Sequence, residues 1–131
     1  MKNYTSYDLI EWGKPFKKSQ HALPEPTLSE VLIRVTAAGL CHSDLHVQKG
    51  YMDLGEEGRL TFAERGAQLP MTFGHEIAGI VEAIGDKVKN VSIGQQVIVF
   101  PWIGCGDCLA CNEDRESDCS AMKIIGLKQK G

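Results

Sequence analysis

The chain has 131 residues, of which 43% are hydrophobic and 24% are charged, and its formal net charge is -3. This length fits one domain, and the composition lies close to the globular average, which argues against disorder. The small negative charge gives no electrostatic reason to expect binding to nucleic acid or to an anionic membrane. No apolar run approaches the roughly 18 residues of a membrane span. The N-terminus lacks the apolar core and cleavage site of a secretory signal, so we expect a cytoplasmic protein.

The first half of the chain predicts a turn, a strand and a short helix. Two prolines in HALPEPTLSE favour a turn. Residues 30–38 (EVLIRVTAA) alternate apolar and polar positions and predict a half-buried strand. The segment 41–49 favours a helix that Ser43 or Asp44 caps and Gly50 ends.

The second half predicts a loop and two more strands. The segment 51–69 is rich in glycine and charge and predicts a long surface loop. Residues 77–84 (IAGIVEAI) and 96–100 (QVIVF) predict strands, with Gly85 and Gly94 in the turns between them. The whole pattern favours a mainly β fold, mostly antiparallel with few short helices, rather than a βαβ fold.

Four of the five cysteines fall within fifteen residues, and the fifth, Cys41, stands apart. An odd count without an export signal argues against a disulfide framework and favours metal ligands. Two-residue gaps let a chain present sulfurs to one tetrahedral zinc ion, and four protein ligands leave no open position, as in structural sites. The cluster therefore predicts a structural zinc lobe at about 102–122, with ligands Cys105, Cys108, Cys111 and Cys119.

Two other readings of the four-cysteine cluster remain open. The common bacterial iron–sulfur run is C-x2-C-x2-C-x3-C-P, whereas here the last gap has seven residues and no proline follows Cys119. Unliganded cysteines are the other alternative. Zinc is favoured over both because the spacing matches its tetrahedral sites.

A second group of chemically active side chains comes from two separated segments, CHSDLH at 41–46 and GHE at 74–76. They bring together a thiol, imidazoles, a hydroxyl and carboxylates. A catalytic zinc takes three protein ligands from these types and keeps an open position. Taken alone, Cys41 is better interpreted as a small buried apolar residue, and His75 as an ordinary surface or core side chain.

Three motifs in order resemble those of the zinc-dependent medium-chain alcohol dehydrogenases. The run Gly74-His75-Glu76-x2-Gly79-x5-Gly85-x2-Val88 matches the zinc-containing alcohol dehydrogenase signature at every fixed position. The segment AAGLCHSDLH resembles the first catalytic motif of that family, and the cysteine spacing resembles its structural zinc lobe.

The resemblance implies a GroES-like barrel joined to a Rossmann domain that binds NAD or NADP. No strand–GxGxxG–helix unit occurs in the sequence. We therefore expect residues 1–131 to be an incomplete N-terminal catalytic domain whose Rossmann domain is absent. Such a fragment should be inactive alone.

The resemblance also implies a role for each motif residue. Cys41 and His75 look like catalytic zinc ligands, and Glu76 like a carboxylate that coordinates the ion or approaches it transiently. Asp44 resembles the carboxylate that orients the zinc-binding imidazole. Ser43 resembles the hydroxyl that accepts the alcohol proton, and His46 the imidazole that passes it to solvent. His42 resembles the residue that contacts the cofactor pyrophosphate.

The implied activity is NAD(P)-linked oxidation of an alcohol to an aldehyde or ketone, with two zinc ions in the intact protein. Its partners would be a small-molecule alcohol or aldehyde and further copies of the chain in a homo-oligomer, with no nucleic acid and no membrane. The loop 51–69 would border the substrate mouth or an oligomer contact, or be a tolerated insertion. A non-catalytic zinc-stabilised binding module is the alternative function. A GroES-type co-chaperone rests on fold analogy alone and leaves the cysteine cluster without a role.

Overall fold

A computed structural model describes residues 2–129. Within them are ten strands, two short helices and two 3-10 turns. The strands are β1 (Asn3–Leu9), β2 (Lys17–Ala22), β3 (Val31–Gly39), β4 (Tyr51–Asp53), β5 (Arg59–Thr61), β6 (Met71–Thr72), β7 (Glu76–Ile84), β8 (Gln96–Val99), β9 (Trp102–Ile103) and β10 (Lys123–Ile124). The helices are α1 (His42–Lys49) and α2 (Leu109–Asn112), and the 3-10 turns span Gly55–Glu57 and Glu116–Asp118. No helix in this part of the chain is long and apolar enough to cross a membrane.

The strands form four small sheets, with the orders β2-β1-β6, β3-β7-β8, β4-β5 and β9-β10. Every pair of these strands is antiparallel, which confirms the mainly β class. Between residues 2 and 129 the sheets do not close into the expected barrel, because β8 pairs with β7 alone and so leaves a sheet edge open. Residues 2–129 therefore form an open set of sheets.

The pairing of β3 with β7 positions the segments that carry Cys41 and His75. Both strands were predicted from their β-branched, alternating residues, and both are nine residues long. Gly39, the last residue of β3, lies opposite Glu76, the first residue of β7. This antiparallel register brings Cys41 and His75, each just beyond its strand, to the same end of the sheet.

The predicted surface loop 51–69 is wrong in two respects. Its first part is the β4–β5 hairpin, in which the Arg59 guanidinium lies 4.3 Å over the Tyr51 ring. Its second part enters the core, where Phe62 and Ala67 are buried with Val47 and Met71. Glycine and charge dominate the local sequence, but packing against α1 and β6 decides the structure.

The N-terminal strands β1 and β2 were not predicted from the sequence, because two of the three buried residues of β1 are polar and β2 has no buried residue. Ser6 and Asp8 are buried together with Leu9. The Thr72 hydroxyl donates a 2.6 Å hydrogen bond to Asp8 Oδ1, and His21 Nε2 lies 3.4 Å from Asp8 Oδ2. A polar network thus joins β1 to both of its neighbours.

Burial acts to raise the pKa of the Asp8 carboxyl, but hydrogen bonds from Thr72, Ser19, Ser6 and His21 outweigh it and lower this pKa to about 2. A carboxyl whose pKa falls on folding stabilises the fold above its ordinary pKa of 3.8. This stabilisation is lost as the pH falls from about 4 towards 2.

Replacing Asp8 by Asn should lower the free energy of unfolding at pH 7 by about 1–3 kcal/mol, since a charged acceptor of buried donors is lost. The deficit should shrink below pH 4, where the wild-type carboxylate is itself neutralised. Thermal unfolding from pH 2 to 7 measures both effects. The exposed residue Asp53 supplies the control, Asp53→Asn, and an equal loss in the two variants would contradict the prediction.

Candidate functional site

The helix α1 begins at Cys41, whose backbone is extended (φ -119°, ψ 176°) and forms the N-cap. Asp44, three residues later, accepts a 2.9 Å hydrogen bond from the Cys41 backbone N–H through Oδ2. Gly50 ends the helix with φ 91°, as predicted, and its N–H donates to the carbonyls of His46 and Val47. The prediction that Ser43 or Asp44 is the N-cap is therefore wrong. Cys41 is the N-cap, and Asp44, in the first turn of the helix, accepts its backbone N–H.

Three side chains converge where α1 meets the segment before β7. Cys41 Sγ lies 3.3 Å from His75 Nε2, and Asp44 Oδ1 lies 3.7 Å from His75 Nδ1. One potential ligand atom from each residue lies within 4.8 Å of the others. The imidazole thus turns one nitrogen to the thiol and the other to the carboxylate.

The Asp44 carboxylate is 3% exposed, and its Oδ1 is buried with no hydrogen-bond partner in the described part of the chain. Burying such an atom without a partner costs free energy, so the site favours a donor or a positive charge beside it. Thiol, imidazole and carboxylate are also the donor types that zinc takes in proteins. By both criteria these residues fit a zinc ion.

The other residues of the predicted site lie around this group. Ser43 and His42 are exposed on α1, and His46 is half-buried. The rings of His42 and His46, one helical turn apart, meet edge to face at 4.7 Å between centroids. Glu76 is exposed and does not belong to the three-residue group, and its carboxylate lies over the Cα of Gly39.

The four-cysteine cluster forms a second convergence of ligand atoms. Its sulfurs lie within 4.8 Å of one another, with Cys108 Sγ 3.5 Å and Cys105 Sγ 4.0 Å from Cys111 Sγ. The helix α2 carries Cys111, with Cys108 as its N-cap, while Cys119 is buried at the end of the second 3-10 turn.

The pKa values of two thiols in the cluster are shifted in opposite directions. Backbone N–H groups of Asp107 and Cys108 lower the pKa of Cys105 to about 7. For Cys111, the Gly106 N–H acts to lower the pKa, but burial and the three neighbouring cysteine side chains raise it to about 11. Four thiolates at this separation repel one another, so a cation among them is needed to hold all four in the charged form.

Two further contacts support the cluster from below. A Cβ on Gly104 would lie 2.5 Å from Cys111 Sγ, so that only glycine fits there without a shift. The strands β9 and β10 pair at the base of the lobe, Trp102 opposite Ile124 and Ile103 opposite Lys123. The spacing of the cysteines thus corresponds to a real spatial cluster closed by a two-stranded sheet.

A comparison with models of known protein families identifies one family that covers most of the chain. Residues 27–131 match the family model of the alcohol dehydrogenase GroES-like domain. The chain belongs to this family.

Individual alcohol dehydrogenases support the family assignment over nearly the whole chain. A NAD-dependent alcohol dehydrogenase of Sulfurisphaera tokodaii is 42% identical over 124 residues, which is 94% of this chain and 34% of that protein. The solved alcohol dehydrogenase of Aeropyrum pernix superimposes with a TM-score of 0.79 at 29% identity, over 98% of this chain and 35% of the other.

A third protein adds a bound cofactor. An alcohol dehydrogenase of Escherichia coli CFT073, complexed with NADH, has a TM-score of 0.78 at 25% identity, over 98% of this chain and 34% of the other. The alcohol dehydrogenase domain thus spans about a third of the length of the relatives it matches. The resemblance drawn from the motifs is confirmed at the level of the family.

The Asp44 carboxylate lies beside His75, as the resemblance implied, whereas its hydrogen bond to the Cys41 backbone N–H was not expected, although the i to i+3 spacing was the available signal. The contact between Gly126 and Gly74 has no signal in the sequence. A Cβ on Gly126 would lie 2.6 Å from the Gly74 carbonyl oxygen, next to His75.

The close approach of Gly104 to Cys111 Sγ gives a prediction for the lobe. Gly104→Ala should push Cys111 out of place and weaken zinc retention at the four cysteines by about 10–100-fold, the usual effect of disturbing a ligand's support. Competition with a chromophoric chelator measures the loss. Ser120→Ala, at an exposed position beside Cys119, is the control, and wild-type retention in Gly104→Ala would refute the prediction.

Proposed function

We propose that this chain is the catalytic-domain portion of a zinc-dependent, NAD(P)-linked alcohol dehydrogenase that oxidises an alcohol to an aldehyde or ketone. The observation that carries the proposal is the convergence of Cys41, Asp44 and His75 at the start of α1. The family and the NAD-dependent relatives support the same activity. A non-catalytic binding module is not favoured, because it gives this buried polar group no use.

In this proposal Cys41 and His75 hold the catalytic zinc. Asp44 faces His75 Nδ1 and so directs Nε2 to the side where Cys41 Sγ lies. Glu76 follows His75 directly and would approach the site only after leaving its place over Gly39. The bound ion would supply Lewis acidity that makes the alcohol hydroxyl easier to deprotonate.

The exposed face of α1 provides a route for the alcohol proton. Ser43 accepts the proton, and His46, three residues further and on the same side of the helix, passes it to solvent. An imidazole titrates near neutral pH and is suited to this step. His42 is exposed beside His46 and is placed to contact the pyrophosphate of the cofactor.

The four cysteines hold a structural zinc in the lobe at about 102–122, which gives two ions per chain. Residues 1–131 then form a GroES-like domain, and the nicotinamide cofactor binds mostly to another part of the whole protein. We further propose a cytoplasmic homo-oligomer, with a small-molecule alcohol or aldehyde as its substrate.

Zinc analysis tests the two sites separately. The intact protein should contain about two zinc ions per chain, and Cys41→Ala and Cys111→Ala should each reduce the content to about one, since each removes a ligand from a different site. Ser120→Ala should keep two ions. An intact wild-type protein that retains a single ion per chain after gel filtration with excess zinc would overturn the catalytic assignment.

The relay is tested by Ser43→Ala in the whole enzyme. Loss of the proton acceptor should lower kcat for alcohol oxidation by about 10²–10⁴-fold, with zinc content kept. Lys49→Ala, at the exposed end of the same helix, should leave kcat unchanged. Steady-state NAD(P)H formation measures both, and a wild-type kcat in Ser43→Ala would remove Ser43 from the mechanism.

A further inference from the structure

The segment from β6 to β7 carries His75 and is short. The strand β6 (Met71–Thr72) ends only three residues before His75, with Phe73 and Gly74 between. Met71 lies opposite Leu9 of β1, and both side chains are buried. The position of β6 on β1 therefore decides where the His75 backbone starts.

Asp8 makes the polar contact that fixes β6. It lies opposite Thr72 in the β1–β6 register, and its Oδ1 accepts the 2.6 Å hydrogen bond from the Thr72 hydroxyl. The carboxylate is buried, at 6% exposure, so that water competes little for this bond. A sliding or lifting of β6 would break a charge-assisted bond in a shielded place.

The two residues between Thr72 and His75 have little freedom of their own. The Phe73 ring packs edge to face on Phe16, with centroids 4.8 Å apart. Gly74 has φ 111°, and Gly126 approaches it so closely that a Cβ on Gly126 would lie 2.6 Å from the Gly74 carbonyl oxygen. A displacement of Thr72 is therefore transmitted to His75 rather than absorbed between them.

We propose that Asp8 is a positioning residue for the metal site: by holding Thr72, it sets the place of the His75 imidazole opposite Cys41. The inference rests on the proposed zinc site and extends it to the N-terminal strand. Asp8 itself does not belong to the group of ligand atoms and acts only through β6.

The two carboxylate oxygens of Asp8 have different partners, so the positioning role can be tested apart from general stabilisation. Oδ1 faces Thr72 on β6, whereas Oδ2 lies 3.4 Å from His21 on β2. Removing either partner weakens the same buried network. Only the loss of the Thr72 bond should disturb the metal site.

The test uses the whole protein loaded with Co²⁺, whose absorption reports ligand geometry. The difference spectrum between the wild type and Cys41→Ala isolates the signal of the Cys41–His75 site from that of the four cysteines. Thr72→Val removes the hydroxyl at nearly constant shape, Thr72→Ser restores it, and His21→Gln is the matched control on the other side of Asp8.

Thr72→Val should weaken Co²⁺ binding at the Cys41–His75 site by about 10–100-fold and shift its absorption band, while the four-cysteine ion is retained. Thr72→Ser should bind Co²⁺ like the wild type. His21→Gln should melt at a lower temperature and keep the wild-type affinity and spectrum. If Thr72→Val does not fold, Asp8→Asn replaces it, and the weaker neutral acceptor should cost about fivefold in affinity.

Unchanged affinity and spectrum in folded Thr72→Val, or in Asp8→Asn as its replacement, would overturn the inference alone. An equal loss in His21→Gln would also overturn it, because the effect would then be general destabilisation. A wild-type chain without any Cys41-dependent cobalt signal would overturn the proposed metal site and this inference with it.

Discussion

The buried carboxylate of Asp44 joins the start of a helix to a pair of candidate metal ligands. One oxygen accepts the Cys41 backbone N–H and thereby fixes where α1 begins, while the other faces His75 without a hydrogen-bond partner among residues 2–129. A carboxylate in such a place is costly unless a positive charge compensates it. The Asp44 carboxylate therefore caps the helix through one oxygen, and through the other it faces His75 Nδ1, which leaves Nε2 on the side of the Cys41 thiol and favours positive charge on the imidazole or on an ion that it holds.

Two of the sheets position the Cys41 and His75 segments. The β3–β7 register brings the Cys41 and His75 segments together, and β1 holds the segment before His75 through β6. The segment that follows the four-cysteine lobe also contacts the backbone beside His75. After β10 pairs with β9, the Ile125 N–H donates to the Pro101 carbonyl, and Gly126 packs against Gly74. Order in the four-cysteine lobe is thus connected to the backbone beside His75 through a few residues.

Elements with a local signal were predictable from the sequence. The strands β3, β7 and β8 follow the alternation of β-branched residues, Gly50 marks the end of α1, and the cysteine spacing indicates the lobe. The strands β1 and β2 were not predictable in this way, because hydrogen bonding rather than an apolar stripe accounts for the burial of Ser6 and Asp8. The hairpin and core residues within 51–69 also depend on tertiary packing, which overrides the local preference of glycine and charge for a loop.

The two proposed metal sites differ in chemistry: one offers four thiolates, and the other offers the Cys41 thiolate and the His75 imidazole with the Asp44 carboxylate beside them. Cadmium-113 NMR of the chain loaded with cadmium measures this directly, because the chemical shift depends strongly on the number of sulfur ligands. Two resonances of equal intensity are expected, one in the region of four-thiolate sites and one in the region of mixed sulfur, nitrogen and oxygen ligands. A single four-thiolate resonance at saturating cadmium would contradict this expectation.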